Sequence, residues 1–248
     1  MSDTDLTSIL GPKVPDWHPP QSPFDAGFEK AGLIGNHVTL VPLDADLHAV
    51  GLFASFAEDE QGTIWRYLPY GPFETVVEYT DYVRAKTALK DVFFFAIQDN
   101  ATGRFVGVAS YLRINPTAGS IEVGHLCFAP ALQATIGATE AMFLMMQWAF
   151  DAGYRRYEWK CNARNLRSRR AAQRLGFSYE GVFRQAMVTK GHNRDTAWFA
   201  MIDAEWPALR QAFASWLDMS NFDAEGCQYK SLSSLTAPIL VARDPALA

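Results

Sequence analysis

Between Ile121 and Arg184 the sequence passes through an apolar strand, a glycine-bearing turn, a long apolar helix, a second strand and a short arginine-rich helix. That succession restricts the fold more than any other feature of the chain. Residues 120–128 pattern as a strand, and residues 138–151 are apolar on nearly every face, which places that helix deep in the molecule. Gly153 supplies its stop, and residues 156–162 resume a strand with Tyr157, Trp159 and Cys161 on one face. A strand that continues through a helix into a neighbouring strand returns parallel to it, by a right-handed crossover.

The earlier strands follow another rule. Residues 92–98 and 104–113 are joined by Asp99-Asn100-Ala101-Thr102-Gly103, and a second short turn at 115–119 leads into 120–128, so these neighbours are antiparallel hairpins. The expected fold is therefore α/β, with a mixed, mostly antiparallel central sheet flanked by helices. Upstream, residues 37–43 alternate like a strand and Asp44 or Asp46 is placed to cap a helix running to Phe56. The segment WRYLPYGPF, Trp65 to Phe73, is a proline-glycine loop before a second helix at 74–89. Downstream, Ser168 is expected to cap a helix ending before Gly176, and residues 183–190 and 196–203 to form a closing hairpin around a turn at 191–195. A helix follows Trp206 to about Leu217, while 221–248 pattern too weakly to assign. Residues 1–35 hold five prolines, Pro12 and Pro15 among them, together with Trp17, Phe24 and Phe28, which suits an extended arm wrapped on a domain. The expected division is an arm at 1–35, a domain at 36–206 and a C-terminal helix and tail at 207–248.

A chain of 248 residues with 49% hydrophobic content can bury one substantial core. Its net charge of -5 repels a nucleic-acid backbone or an anionic membrane, so neither is an expected partner. No apolar run reaches the ~18 residues that span a bilayer, and the acidic N-terminus lacks a secretory signature. The three cysteines show no C-x-x-C spacing, so no metal site is expected, and a reducing cytoplasm fits them.

Several motifs then coincide. Asn165 with Ser168, the run R-L-G-F at 174–177, and Glu180, Gly181 and Arg184 match N-x-x-S, R-L-G-F and E-G-x-x-R. In this the chain resembles the GNAT acetyltransferase superfamily, on the side of its RimJ/RimL-type branch, and with WRYLPYGPF the resemblance covers roughly residues 36–206. It implies the GNAT-type sheet, acetyl-coenzyme A as the cofactor, and direct N-acetylation of a primary amine, either a protein N-terminus or a small molecule. The coenzyme pyrophosphate is expected on the turn carrying Gln133, Ile136, Gly137, Ala138 and Thr139, where backbone N–H groups meet a helix N-terminus. The superfamily pattern Q/R-x-x-G-x-G/A places Ile136 where glycine is usual, with Gly137 one position late. Asn165 holds the position that bonds the pantetheine arm. Eight of the 22 basic residues lie between Arg155 and Arg174, and Arg167 and Arg169 are the expected phosphate contacts.

For the chemistry, Glu122 resembles the strand glutamate that relatives use as general base, and His125 is its rival by chemical type. On a regular strand their opposite parity lets only one face the cleft. An oxyanion donor is expected from a backbone N–H near Cys127 or Phe128, where the strands must part. Relatives often protonate the thiolate with a tyrosine at the position held here by Ala172; the resemblance to RimL-like members, where the serine of N-x-x-S is implicated, implies Ser168 as the acid, a position that equally suits a helix cap. The acceptor is expected beside Trp65, Arg66 and Tyr67 and under a turn bearing His192, Arg194 and Asp195, with Asp195 and Glu122 attracting a cationic amine. A non-catalytic acyl-coenzyme A sensor is the alternative reading, and the arm and tail offer surface for a homodimer.

Overall fold

The computed structural model describes Gly11, Val14 and residues 17–248, so Pro12 and Pro15 of the arm lie outside the described residues. The strands are β1 (Leu33–Ile34), β2 (Val38–Pro42), β3 (Val92–Asp99), β4 (Phe105–Asn115), β5 (Ser120–Phe128), β6 (Arg156–Asn162), β7 (Ser178–Thr189) and β8 (His192–Ile202). They form one sheet in the order β1-β2-β3-β4-β5-β6-β8-β7, antiparallel throughout except where β5 lies parallel to β6. The helices are α1 (Phe28–Ala31), α2 (Ala45–Phe56), α3 (Val76–Thr87), α4 (Ile136–Asp151), α5 (Leu166–Arg174), α6 (Trp206–Leu217) and α7 (Leu232–Thr236).

Alternation along β3 sorts the helices into two layers. Phe94 lines a small pocket with Tyr82 and Val83 of α3, whereas its neighbour Phe95 meets Tyr111, whose hydroxyl donates to the Met145 carbonyl of α4 at 2.7 Å. Hence α2 and α3 cover one face of the sheet and α4 the other. The buried stripe of α4 (Ala141, Met142, Met145, Met146, Ala149) follows helical spacing, and each such side chain contributes about 1–3 kcal/mol by leaving water.

Local signals explain most boundaries. Asp44, not Asp46, caps α2, its Oδ1 accepting from the Asp46 and Leu47 N–H groups. Thr135 caps α4, which starts two residues before the expected 138–151 span. Asn165 rather than Ser168 caps α5, because its Oδ1 accepts the Ser168 N–H at 3.2 Å. The closing hairpin is longer than expected: Lys190 and Gly191 both take positive φ, a two-residue turn that keeps β7 and β8 paired to Thr189↔His192. His192, Arg194 and Asp195 therefore stand on β8 instead of in a turn.

The N-terminal aromatics pack on the domain. The Trp17 indole reaches the Gly153 carbonyl, with the Arg155 guanidinium 5.7 Å from its ring, and Phe24 and Phe28 meet Phe93 at 5.3 and 5.5 Å. The unassigned tail is also tied down. It runs along α5, where Arg169 forms a two-pronged ion pair with Asp244 at 2.6 and 2.5 Å and the Asp244 N–H donates to the Gln173 side chain. Among the described residues no helix is long and apolar enough to cross a membrane.

Candidate active site at the strand splay

Strands β5 and β6 pair only from Ser120↔Arg156 to Val123↔Trp159, while β5 stays on β4 as far as Phe128↔Gly107 and β6 stays on β8 as far as Asn162↔Thr196. Beyond Val123 the two strands diverge and leave a wedge with backbone groups on its edges. On the β5 edge the ladder fixes which groups those are. The Ala129 N–H donates to the Val106 carbonyl on the β4 side at 2.9 Å, so alternation turns Phe128 the other way, its N–H toward the wedge and its carbonyl accepting from the Gln133 side chain. Cys127 then has its backbone on the β4 side and its thiol buried among Tyr79, Tyr82 and Phe94. Of the two expected oxyanion donors, the geometry retains Phe128 and removes Cys127.

A bulge on β5 sets His125 and Leu126 against the single Ala109 of β4, and the His125 φ of 50° costs a β-carbon residue of order 1 kcal/mol. The bulge cancels the parity argument: His125 points to the same face as Glu122. Its Nδ1 lies 3.0 Å from the Tyr70 hydroxyl, and its ring stacks on Tyr70 at 5.6 Å and tilts over Phe94 at 5.1 Å. Burial, aided by Lys86 and Arg113, pushes the imidazole down to about 4, so it is neutral at physiological pH. The same burial raises the Tyr70 phenol well above its ordinary value.

Glu122 is in a different situation. It is 3% exposed, Arg113 Nη1 donates to both its oxygens at 2.7 Å, and Lys160 Nζ lies 2.7 Å from Oε2. Burial raises its carboxyl and the two cations oppose that rise. Lys160 also bridges to Glu158, the residue directly opposite Glu122 on β6, and sits 3.7 Å over the Trp198 ring. Glu122 is thus a member of a buried charge ladder. His125, by contrast, is only partly buried.

The turn from Ala129 to Thr135, where the sequence leads one to expect the pyrophosphate, enters α4 with different duties for its members. Gln133 does not aim its side chain outward; its amide closes the loop onto Phe128. Ala134 takes φ 60°, and Thr135 Oγ1 occupies the Ala138 N–H at 3.0 Å. Among the described residues, the N–H groups of Ala134, Ile136 and Gly137 have no protein partner, a ready anion site at a helix start. The displaced glycine serves packing: a β-carbon at Gly137 would lie 2.9 Å from Val38 Cγ1, so glycine lets α4 approach β2. Three residues further, the buried Glu140 carboxylate accepts from the Asn36, His37 and Val38 N–H groups at 2.8, 2.6 and 2.9 Å, pinning the helix start to the β1–β2 turn. Thr139 is engaged by Arg174 Nη1 at 3.1 Å.

On the other side of the wedge, α5 carries the remaining predicted contacts. Asn165 is partly buried at its N-terminus. Ser168 Oγ accepts the Trp159 indole N–H at 3.0 Å, and its hydroxyl also meets the Cys161 sulfur. Arg167 is exposed, but Arg169 is buried and spends its guanidinium on Asp244 and on the Ala163 carbonyl, which corrects its expected phosphate role. Ala172 is fully buried, so nothing from that position reaches the wedge.

The expected acceptor rim is assembled in part. Trp65 is buried, edge-on to Phe56 and Phe73, a core residue of the loop rather than a free rim. Tyr67 reaches the Arg164 carbonyl at 3.2 Å, and Lys190 Nζ holds the Trp65 and Gly71 carbonyls, so loop, hairpin and α5 entry are tied together. His192 is exposed near the hairpin turn, away from these contacts. The Asp195 carboxylate accepts from the Gln185 N–H at 2.7 Å and from Asn193, which holds its acid constant below the ordinary range. Residues Phe183, Arg184, Gln185, Asn193 and Asp195 line an open cleft of about 640 Å³. The residue pattern does not single out Tyr70 or Arg113, because their contacts with His125 and Glu122 depend on positive-φ irregularities at His125 on β5 and Arg113 on β4. Among the described residues no cluster of His, Cys, Asp and Glu could hold a metal ion.

Comparisons with known proteins agree with this geometry. The model of the acetyltransferase (GNAT) domain matches residues 37–178. A GCN5-related N-acetyltransferase from Brucella melitensis is 42% identical over 90% of this chain and 100% of its own, with a TM-score of 0.85. A probable GNAT-family acetyltransferase from Chromobacterium violaceum ATCC 12472 is 40% identical over 79% and 96% of the two chains, with a TM-score of 0.73. RimL, the ribosomal L7/L12 alpha-N-protein acetyltransferase, is 20% identical over 68% of this chain and 92% of its own at a TM-score of 0.59, a likeness of fold alone. No curated protein matches the sequence.

Proposed function

Because the chain belongs to the GNAT acetyltransferase family, we propose that it transfers the acetyl group of acetyl-coenzyme A to a primary amine, by direct attack within a ternary complex. The coenzyme supplies an acetyl thioester. The observation that carries the reading is the wedge between β5 and β6, with the Phe128 N–H on its edge and the unpartnered Ala134, Ile136 and Gly137 N–H groups at its end. Those three groups would hold the diphosphate, and Asn165 and the exposed Arg167 would flank the rest of the cofactor from α5.

In the reaction a C–N bond forms and the C–S bond breaks. The Phe128 N–H receives the negative charge that develops on the carbonyl oxygen, a preorganised donor of the kind whose loss costs about 10²–10³ in rate. His125 takes the proton that the amine nitrogen loses on attack. For this its Nδ1–H must donate to the Tyr70 oxygen, leaving Nε2 as the acceptor. An imidazole with its acid constant near 4 is a weak base, but it stays neutral and ready, and the nitrogen left protonated when the C–S bond breaks belongs to an N-protonated amide, a strong acid. Ser168 donates a hydrogen bond from its hydroxyl to the departing sulfur and keeps its proton; the thiolate then takes a proton from water, a modest requirement because a thiol of pKa ~8.5 leaves readily. Glu122 acts at one remove, fixing Arg113 and Lys160.

The test is a thiol-release assay over a panel of amines, with mass detection of the acetylated product. Saturable turnover that collapses in His125→Ala supports the proposal. Tight acetyl-coenzyme A binding without acetyl product from any amine would favour a sensor instead.

A further inference from the structure

The charges around His125 do not suit a cationic acceptor. The charges that act most on it are Lys86, Arg113 and Arg194, all disfavouring a cation there, opposed by Asp91. The carboxylates expected to draw a cation are already used. Glu122 is held by Arg113 and Lys160, Glu158 by Arg156 and Lys160, and Asp195 by the Gln185 N–H and Asn193. The cations retain capacity. Arg113 uses only Nη1 on Glu122 and its side chain is 52% exposed, so Nε and Nη2 remain for a ligand. Arg194, next to the site on β8, is partly buried, and its Nε is shielded from water with no partner among the described residues. A guanidinium donor sequestered without an acceptor is destabilising unless a ligand completes it. This positive site lies on a chain whose net charge is -5, so it is local and runs against the overall field.

We propose that the acceptor is an amine carrying a nearby anionic group, a carboxylate or a phosphate, that Arg194 and Arg113 bind while its nitrogen faces His125. The inference rests on the acetyl-transfer reading and names the substrate class for that same site. Guanidinium groups suit either anion, since their forked donors match two oxygens at once. A polyamine, with extra positive charge, is repelled by Lys86, Arg113 and Arg194.

Matched acceptors isolate the anion. Acetyl transfer is compared for glutamate against glutamine amide, for O-phosphoethanolamine against ethanolamine, and for spermidine, in the native protein and in Arg194→Gln and Arg113→Gln. At least one anionic member is expected to exceed its neutral partner by about 10- to 100-fold in kcat/KM, as one or two charge-assisted hydrogen bonds supply. The carboxylate and phosphate pairs distinguish the two sources. In Arg194→Gln the preference should shrink through KM more than kcat, with acetyl-coenzyme A affinity by calorimetry and the thermal midpoint held. Equal or better transfer to neutral amines or spermidine overturns this inference while leaving N-acetyl transfer intact. No transfer to any of the five overturns both, and an undiminished preference in both arginine variants removes these residues as its source.

Discussion

Replacing Asp244 with Ala is a demanding test of how the tail supports the site. The Asp244 side chain is 0% exposed and that of Arg169 7% exposed, so removing the carboxylate leaves a buried guanidinium with only the Ala163 carbonyl and the Tyr179 ring at 5.9 Å. Breaking a buried pair from one side costs about 3–5 kcal/mol, chiefly by stranding the other charge. For a chain of this size that is a drop of roughly 6–20 °C in thermal midpoint, at about 2–4 °C per kcal/mol. Because Arg169 sits in α5 beside the Asn165 cap, the same change should weaken acetyl-coenzyme A binding in calorimetry. The double variant Arg169→Leu/Asp244→Leu leaves no stranded charge and should recover much of the loss, with a coupling of about 2 kcal/mol or more in a double-mutant cycle. A shift below about 1 kcal/mol in Asp244→Ala, or additive effects in the cycle, would refute the reasoning.

Glu140→Gln should cost about 2–4 kcal/mol in denaturant unfolding, since one amide oxygen replaces a carboxylate that serves three N–H groups, with the buried Val38 N–H the hardest to satisfy otherwise. Gly137→Ala drives a β-carbon to 2.9 Å from Val38 Cγ1, so α4 must shift and acetyl-coenzyme A affinity by calorimetry should fall about fivefold or more. His125 sets a pH dependence. Its folded acid constant near 4 lies below the ordinary 6.5, so the unfolded chain binds the proton more readily and stability falls as pH drops from about 6.5 towards 4. The loss reaches about 3 kcal/mol for that shift, and His125→Gln should remove this part of the slope in unfolding midpoints measured across the window.

Much of the fold is legible in residue order because its causes are local. The short turns at 99–103 and 115–119 compel antiparallel hairpins, and the helical passage between 128 and 156 compels the parallel step. The turn at 129–135 and the helix start after it are legible for the same reason, since each is set by local residues. What was not legible depends on irregularity. Parity placed Glu122 and His125 on opposite faces, and only the β-bulge, invisible in the residue pattern, brings both to one side. Ser168 was a plausible cap by residue type, yet Asn165 three positions earlier took the role and freed the serine hydroxyl for Trp159. Arg169 stood in a basic cluster that resembles a phosphate site. Its partner Asp244 is 75 positions away, a contact no local signal records.

The central claim is that amide groups at the start of α4 and on the edge of β5 hold the cofactor and orient its thioester. Amide resonances of Ala134, Ile136, Gly137 and Phe128 followed during an acetyl-coenzyme A titration test it most directly. The account predicts saturable shifts concentrated on these four, larger than those of residues deeper in α4. Saturable binding that leaves all four unmoved, or an absence of binding at millimolar cofactor, would contradict it.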